Sequence, residues 1–255
     1  MTIMNQQSLL VAGGSSGLGA ACVRRLASAD RGVVIADVAL PEQPLLEETN
    51  QRVAFCPADV ADEAAVRKAM AMAEDRFGPL RGALVCAGVI HAERLLGRQG
   101  LCDLEAFRHV VEVNLIGTFN VLRLAAGIMQ ANEPDNEGQR GVIITTSSTA
   151  AFEGQIGQTA YTASKGGVAA MTLPAARDLG RFGIRVVSIA PGVFETPMIE
   201  HTPEPQRQSL QTQIPFPSRF GHPEEFAALV EHVLTNPMLN GTIIRLDGGL
   251  RMAAR

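Results

Sequence analysis

Tyr161 is the only tyrosine of the chain, and it stands four residues before Lys165, one of only two lysines against 20 arginines. Positions i and i+4 of a helix share a face, so the predicted helix over 159–179 places the phenol beside the ammonium group. A nearby cation favours the phenolate and eases proton transfer to or from a substrate oxygen near neutral pH. The pair therefore predicts a general acid/base. Lys68 lies in a polar helical pattern and is interpreted as a solvated surface charge.

Two serines at the end of a predicted strand supply hydroxyl groups that could hold a substrate oxygen. Ser147 and Ser148 stand a short loop before Tyr161, and a donor aimed at a developing oxyanion stabilises a transition state. The sequence does not choose between these serines, and either could instead bond the local backbone. Asn114 lies inside a predicted helix over 104–130, where asparagine competes for backbone hydrogen bonds. We expect Asn114 to have a buried role with a water molecule.

A glycine-rich turn follows the first predicted strand and precedes an amphipathic helix. Gly13, Gly17 and Gly19 permit a tight turn, and they let backbone N–H groups approach a pyrophosphate at the positive end of that helix. Asp37 closes the second predicted strand, near the spacing of about 20 residues expected of a carboxylate that binds the adenosine ribose. No basic residue accompanies it to bind a 2′-phosphate. The pattern favours NAD over NADP, and a strand-end aspartate with no cofactor role is the alternative.

The ends of the next two predicted strands supply further candidate cofactor contacts. Asp59 and Val60 follow the third strand, and Cys86 and Gly88 follow the fourth. Both positions lie where the riboses of a dinucleotide cross such a sheet. Taken alone, Asp59 could equally be a helix N-cap and Cys86 a core thiol. Only the combination with the glycine turn favours a binding role.

The elements that position these groups alternate along the chain. Seven short apolar runs are typical of strands buried on both faces, and five longer stretches carry apolar residues at helical spacing. The predicted strands are 8–12, 32–37, 52–57, 83–87, 141–147, 184–190 and 242–246, and the predicted helices are 18–29, 62–77, 104–130, 159–179 and 223–235. Strict alternation predicts a doubly wound α/β fold whose ligands bind beyond the carboxyl ends of a parallel sheet.

A proline-rich segment interrupts this alternation. Six of the 14 prolines fall within 191–217, which shows little helical or strand pattern. We predict a long loop that acts as a lid, with a plain connector as the alternative. We expect a single domain over 1–255, with an NAD-binding half over about 1–140 and a catalytic and substrate half over about 141–255.

The composition narrows the class of protein further. The chain has 255 residues, is 46% hydrophobic and carries a net charge of −4, so it has no electrostatic footprint for nucleic acid or an anionic membrane. Its four cysteines form no CxxC pair, which argues against a zinc site, so we predict no metal. No apolar run reaches the roughly 18 residues of a membrane helix, and no basic leader precedes one. We expect a cytoplasmic enzyme with a small-molecule substrate, and a mitochondrial protein with a non-cleaved signal is the alternative.

The candidate residues, taken in order, resemble the short-chain dehydrogenase/reductase family over essentially the whole chain. The match rests on Gly13, Gly17, Gly19, Asp37, Asn114, Ser148, Tyr161 and Lys165. It implies a homotetramer with a Rossmann fold that transfers hydride between nicotinamide and a carbonyl or alcohol carbon. By this resemblance Tyr161 exchanges the proton, while Lys165 binds the nicotinamide ribose and lowers the pKa of Tyr161. Ser148 orients the substrate oxygen, and Asn114 holds a relay water.

Residues 132–252 resemble, more closely, members of the family that act on 3-hydroxyacyl-CoA thioesters. This likeness implies oxidation of a 3-hydroxyacyl-CoA by NAD, and it adds Ser16, Leu18, Phe194 and Thr196 to the NAD contacts. Residues 90–103 are the part least like those members, so we expect them to line the substrate entrance. Arg94 or Arg98 could meet CoA phosphates there, although exposed arginines are usually only solvated charges.

Two short elements depart from the broad family pattern. Ala12 stands where the family usually has Thr, and Val85 and Cys86 stand where it usually has a pair of Asn residues. In the family these two elements hydrogen-bond to each other across neighbouring strand ends. Because both lack the usual polar side chains here, neither leaves a polar group without its partner, and we expect local repacking without loss of NAD binding.

Two other functions are compatible with the same residues. The first is an NAD-dependent dehydrogenase of steroids or other secondary alcohols, which would use the same machinery. The second is a noncatalytic NAD-binding scaffold, for which the sole tyrosine beside Lys165 has no physical purpose.

Overall fold

A seven-stranded parallel sheet forms the centre of the molecule in a computed structural model that describes residues 7–29, 31–41, 43–47, 49, 51–98, 100–200 and 202–254. Its strands are β1 (Ser8–Ala12), β2 (Gly32–Asp37), β3 (Val53–Pro57), β4 (Leu80–Val85), β7 (Gly141–Thr146), β8 (Ile184–Pro191) and β9 (Ile243–Leu246). They lie in the order β3-β2-β1-β4-β7-β8-β9, and neighbouring strands are parallel. The predicted doubly wound α/β fold is confirmed.

The order of the strands reverses between β1 and β4. The chain runs outward from β1 to β3 and then returns to place β4 on the other side of β1, where Ala12 pairs with Val85. In such sheets the crevice for ligands opens outside the carboxyl ends of the two strands at the reversal. The glycine turn that follows Ala12 therefore enters this crevice.

Helices cover both faces of the sheet and bury its apolar strands. On one face α1 (Gly17–Ser28) and α9 (Pro223–Thr235) pack around Phe226, which is fully buried. On the other face α3 (Glu63–Phe77), α5 (Gly117–Met129) and α6 (Thr159–Gly180) pack around Met70 and Met129. Each strand except the edge strand β9 therefore contributes apolar side chains to two separate cores, which explains why these strands are unbroken apolar runs in the sequence.

The predicted helix over 104–130 is continuous in direction but changes its winding. It consists of α4 (Leu104–Val111), a π-helical turn at Glu112–Ile116 and α5. Among the described residues, the stretch Leu104–Met129 is the one helix long and apolar enough by composition to cross a membrane, and half of its most apolar window is buried in the protein. The side chains of Val121, Leu124 and Met129 lie in the core, so this helix is apolar because it packs against the sheet.

The structure corrects several predicted boundaries. The fourth strand begins at Leu80, not at residue 83, because Arg81 and Gly82 interrupt its apolar pattern, and the pairing with β1 continues through a register shift at Arg81. The predicted loop over 191–217 contains α7 (Pro197–Glu200) and α8 (Glu204–Thr212). The helix α8 was not predicted because glutamine and other polar residues dominate its sequence, which therefore shows no apolar stripe.

Two other short elements were not predicted. The helix α2 (Gln43–Glu47) follows β2, and a two-stranded antiparallel hairpin of β5 (Leu96–Gly97) and β6 (Gly100–Leu101) occupies part of the 90–103 segment. Elements of two to five residues are too short to show a period in the sequence.

Candidate active site

A single cavity of 560 Å³ at the carboxyl ends of the strands gathers nearly all of the predicted site residues. The predicted residues that line it are Gly13, Ser16, Gly17, Leu18, Gly19, Asp37, Asp59, Val60, Cys86, Gly88, Ser148, Tyr161, Lys165, Phe194 and Thr196. Asn114 is the exception, because it is fully buried behind the wall of the cavity. The carboxyl ends of parallel strands meet at one edge, which brings these distant parts of the sequence together.

The glycine turn has a shape that only glycine permits. Gly13 has a φ of +76°, and a Cβ added there would lie 2.3 Å from the backbone nitrogen of Ala87. A Cβ on Gly19 would lie 2.0 Å from the carbonyl oxygen of Gly13. Ser16 caps α1 without a side-chain hydrogen bond, so its side chain does not occupy the first N–H groups of the helix. This cradle of backbone donors fits a pyrophosphate group.

The carboxylate of Asp37 is held at the edge of the cavity. One of its oxygens accepts a hydrogen bond of 3.0 Å from the Ser15 N–H, and the other accepts one of 3.1 Å from the Ala39 N–H. Among the described residues that line the cavity, only Lys165 and His109 can carry a positive charge. The site therefore presents a carboxylate that fits ribose hydroxyls and no arginine for a 2′-phosphate.

The structure excludes the helix-cap interpretation of Asp59. Asp62 is the N-cap of α3, and its side chain accepts from the N–H groups of Ala64 and Ala65. Asp59 instead accepts from the Ala61 N–H at 2.9 Å and lines the cavity. The capping role that the sequence allowed for Asp59 therefore belongs to its neighbour.

Main-chain hydrogen bonds connect the two strand ends that lack the usual polar side chains. The carbonyl oxygen of Ala12 accepts from the N–H groups of Cys86, at 2.7 Å, and of Ala87, at 2.9 Å. The thiol of Cys86 accepts a weak hydrogen bond from Thr146 at 3.7 Å. Hydrogen bonding from Cys22 lowers the pKa of Cys86, whereas burial raises the pKa of Cys22. The backbone thus supplies the link between β1 and β4 without a side-chain pair.

Ser148, and not Ser147, faces Tyr161. The hydroxyl of Ser147 is buried and donates to the carbonyl oxygen of Lys165 at 2.9 Å, so it is committed to the backbone. Burial raises the pKa of Tyr161, and hydrogen bonding with Ser148 acts in the opposite direction. Two hydroxyl groups therefore converge on the position that a substrate oxygen would take.

The pKa of Tyr161 is raised, contrary to the expectation that Lys165 lowers it. The Nζ of Lys165 donates to the carbonyl oxygen of Thr146 at 2.8 Å and lies 5.9 Å from the centre of the Tyr161 ring. Burial lowers the pKa of Lys165 to about 8, opposed by the charge of Cys86. Because burial dominates at both side chains, the pKa of Tyr161 is raised rather than lowered.

Asn114 connects the π-helical turn to the segment after β4. Its Oδ1 accepts from the Val89 N–H at 2.8 Å, while its Nδ2 donates to the Val89 carbonyl at 2.9 Å and to Ser164 at 3.0 Å. A Cβ on Gly88 would lie 3.2 Å from Asn114 Oδ1 and 3.4 Å from Lys165 Nζ. Asn114 therefore positions the cavity wall beside Lys165, and its relay water stays a prediction.

Sequence reasoning did not single out the side chains on the substrate side of the cavity, although Ile199 and Leu210 lie within the predicted lid over 191–217. This wall is formed by His109, Gln155, Gln158, Ile199, Leu210 and Met252. The two glutamines lie between Ser148 and Tyr161 along the chain, which was a usable signal, whereas Met252 lies far from any motif. Arg94 and Arg98 are exposed and do not line the cavity. No group of three potential metal ligands occurs among the residues that the structure describes.

The fold and this site define the chain as a short-chain dehydrogenase. The sequence model of the short chain dehydrogenase family matches residues 7–207, so the chain belongs to that family and is an oxidoreductase, whose relatives generally use NAD or NADP. It is 49% identical to 3-hydroxyacyl-CoA dehydrogenase type-2 of Rattus norvegicus over 246 residues, which are 95% of this chain and 94% of that protein. The Homo sapiens protein of the same name is also 49% identical, over 248 residues that cover 95% of this chain and 94% of that protein. The crystal structure of 3-hydroxyacyl-CoA dehydrogenase type-2 from Mycobacterium avium matches with a TM-score of 0.94 and 42% identity over 99% of this chain and 98% of that chain.

Proposed function

We propose that this protein interconverts 3-hydroxyacyl-CoA and 3-oxoacyl-CoA thioesters by hydride transfer with NAD. The observation that carries the reaction type is the half-buried Tyr161 beside Ser148, in the same cavity as the glycine turn. The names of the relatives supply the substrate class, since they are 3-hydroxyacyl-CoA dehydrogenases and nearly half of the residues are identical.

The site's own residues account for the proton and for the substrate oxygen. Ser148 donates a hydrogen bond to the 3-oxo oxygen, and Tyr161 gives that oxygen its proton during reduction. The raised pKa of Tyr161 keeps the phenol protonated at neutral pH, which suits this direction. In the reverse direction Tyr161 accepts the proton, so we expect the oxidation rate to rise as the pH rises. A bound nicotinamide supplies or receives the hydride.

The choice of NAD rests on Asp37 and on the charges around it. Its carboxylate is fixed by two backbone N–H groups, and it would repel a 2′-phosphate. Val38, the next residue, is exposed and uncharged. A dinucleotide without the extra phosphate fits this edge of the cavity.

We propose a homotetramer because apolar side chains are exposed on two separate parts of the surface. Ile116 and Phe119 are about half exposed where α5 begins, and Leu173 is similarly exposed on α6 beside the half-buried edge strand β9. Two separate apolar areas would allow two twofold interfaces, which together close the tetramer that the family resemblance implies. Light scattering should give about four times the chain mass of 27.1 kDa, and a mass equal to one chain would exclude this assembly.

We also place the protein in the cytoplasm, where thiols stay reduced. All four cysteines are free thiols, which supports a reducing compartment. Three of them lie in or near the core or the cofactor edge of the cavity. Microscopy of a fluorescent fusion would distinguish this location from the mitochondrion.

The test of the function follows NADH absorbance with acetoacetyl-CoA as substrate. NADPH, a ketosteroid and the variant Tyr161→Phe are run alongside. We expect NADH consumption that is strongest with the thioester, weak with NADPH, and reduced by about 1,000-fold in the variant, because general acid catalysis contributes about 100- to 10,000-fold. Turnover of the ketosteroid alone would move the function to another alcohol. A wild type that binds NADH without turnover would support the noncatalytic scaffold.

A further inference from the structure

Residues 251–254 form a segment without helix or strand that crosses the substrate side of the cavity. Met252, in this segment, lines the cavity together with Ile199 and Leu210. Its side chain packs against a small apolar cluster formed by Ile214, Phe220 and Leu250. The wall of the substrate site therefore contains a residue that lies outside the family-model match over 7–207.

Hydrogen bonds fix the backbone of this segment. The Met252 N–H donates to Glu153 at 3.1 Å, and the Ala253 N–H donates to the side chain of Gln213 at 3.0 Å. The Ala253 carbonyl accepts from Gln155 Nε2 at 3.0 Å, and the Ala254 carbonyl accepts from the Ile156 N–H at 3.0 Å. Partners from two separate loops thus determine where Met252 lies.

Glu153 is the centre of an ion cluster at the base of the segment. Arg245 donates to both of its oxygens, at 2.9 and 3.2 Å, and Arg251 lies 3.3 Å away. Burial acts to raise the pKa of Glu153, but the hydrogen bonds from Arg245 and from the Met252 N–H outweigh it and hold that pKa below its usual range. The Glu153 carboxylate is therefore charged at neutral pH, in the form that accepts the hydrogen bond from the Met252 N–H.

We propose that Met252 contacts the acyl chain of the substrate and limits its length, and that Glu153 is the residue that positions it. The proposal rests on the function proposed above. A thioether is flexible and polarisable, so it can pack against short or branched carbon chains. A pocket that is smaller by one methylene changes selectivity by about 10- to 200-fold. Because hydrogen bonds fix the backbone of residues 251–254, the segment does not move aside for a longer acyl chain. The side chain of Met252 therefore sets the limit on the length of that chain.

The test compares 3-oxooctanoyl-CoA with acetoacetyl-CoA. We expect Met252→Ala to raise the ratio of kcat/KM for the longer substrate over the shorter one by about tenfold, and Met252→Phe to lower it, because the two variants enlarge and narrow the same wall. Met238→Ala, at a methionine that is 87% exposed, is the matched control and should leave the ratio unchanged. A ratio that stays within twofold of wild type in both Met252 variants would overturn the proposal.

Glu153→Gln tests the positioning role with nearly the same side-chain shape. We expect KM for acetoacetyl-CoA to rise about fivefold, with kcat and KM for NADH nearly unchanged, and Glu153→Asp to restore part of the loss. An equal fall in kcat with both substrates would indicate a purely structural role and would contradict the proposal. Thermal unfolding with and without NADH checks that the variants are folded.

The same measurements separate this proposal from the proposed function. If wild-type protein reduces simple ketones but no CoA thioester, the acyl-CoA function fails. The Met252 variants are then compared on a short and a long ketone, where an unchanged length preference would overturn the role of Met252 independently.

Discussion

The cofactor side and the substrate side of the cavity are built from different parts of the chain's chemistry. On the cofactor side the contacts come from the main chain, through the turn at Gly13 and the hydrogen bonds that the Ala12 carbonyl accepts from Cys86 and Ala87, just after β4. On the substrate side the work falls to side chains, including Ser148, Tyr161 and Glu153. The first side is sensitive to added volume, and the second is sensitive to the removal of single polar atoms.

This difference follows from what each side has to bind. A pyrophosphate is recognised by backbone N–H groups, which every residue except proline has, so the turn is selected for shape. A substrate oxygen needs a proton and a donor at one place, which only particular side chains provide. Three predictions challenge this division, and they run from the largest expected effect to the smallest.

Gly13→Ala should break the cofactor side by shape alone. The new Cβ would lie 2.3 Å from the backbone nitrogen of Ala87 and would occupy a φ of +76°, which alanine adopts only with strain. We expect NADH to bind about 1,000-fold more weakly, a loss of about 4 kcal/mol, measured by fluorescence titration. Gly127→Ala, where a Cβ meets nothing within 4 Å, is the control. If Gly13→Ala binds NADH within twofold of the wild-type affinity, the turn accommodates the added Cβ and the prediction is wrong.

Ser148→Ala and Ser147→Ala should separate catalysis from stability at adjacent positions. Removal of the Ser148 hydroxyl takes away a donor at the substrate oxygen, so we expect kcat to fall about 100-fold. Removal of the Ser147 hydroxyl leaves the Lys165 carbonyl without that hydrogen bond, so we expect the free energy of unfolding to fall by about 1–2 kcal/mol. Steady-state kinetics and urea unfolding measure both. A larger loss of kcat in Ser147→Ala than in Ser148→Ala would reverse the assignment.

Lys165→Met should reveal how much the buried charge of Lys165 lowers the stability of the fold. Lys165 lies where the cofactor side and the substrate side of the cavity meet. The pKa of Lys165 is lowered by burial from 10.5 to about 8, so the charged form destabilises the folded state below about pH 8. This cost fades as the pH rises from about 8 towards 10.5. The Tm of wild type minus the Tm of Lys165→Met should therefore increase by a few degrees as the pH is raised from 7 to 9.5.

The control for this titration is the exposed Lys68 on α3. Lys68→Met removes an exposed lysine and is the reference with which the pH dependence of Tm in Lys165→Met is compared. A constant difference in Tm between wild type and Lys165→Met would mean that Lys165 does not change its protonation over this range.

Most of the fold and much of the cofactor side of the site could be predicted because the signals are local. The alternation of apolar runs and helical stretches predicts the parallel sheet, and such a sheet places its strand ends at one edge. Asp37 could be assigned to that edge from its position at the end of a strand, whereas Cys86 could be assigned to it only in combination with the glycine turn. The polar helix α8 escaped because a helix is recognised in sequence by its apolar face, and α8 has almost none.

What the sequence by itself determined is the class of the protein and its acid/base pair, since a glycine turn and an i, i+4 spacing are properties of short stretches. Only the tertiary structure decided which serine faces Tyr161, because that depends on where each side chain points at the end of β7. Burial by the whole fold set the raised pKa of Tyr161 and the lowered pKa of Lys165. The contact between Met252 and Glu153 joins residues 99 positions apart, and no local pattern records a hydrogen bond between parts of the chain that meet only after folding.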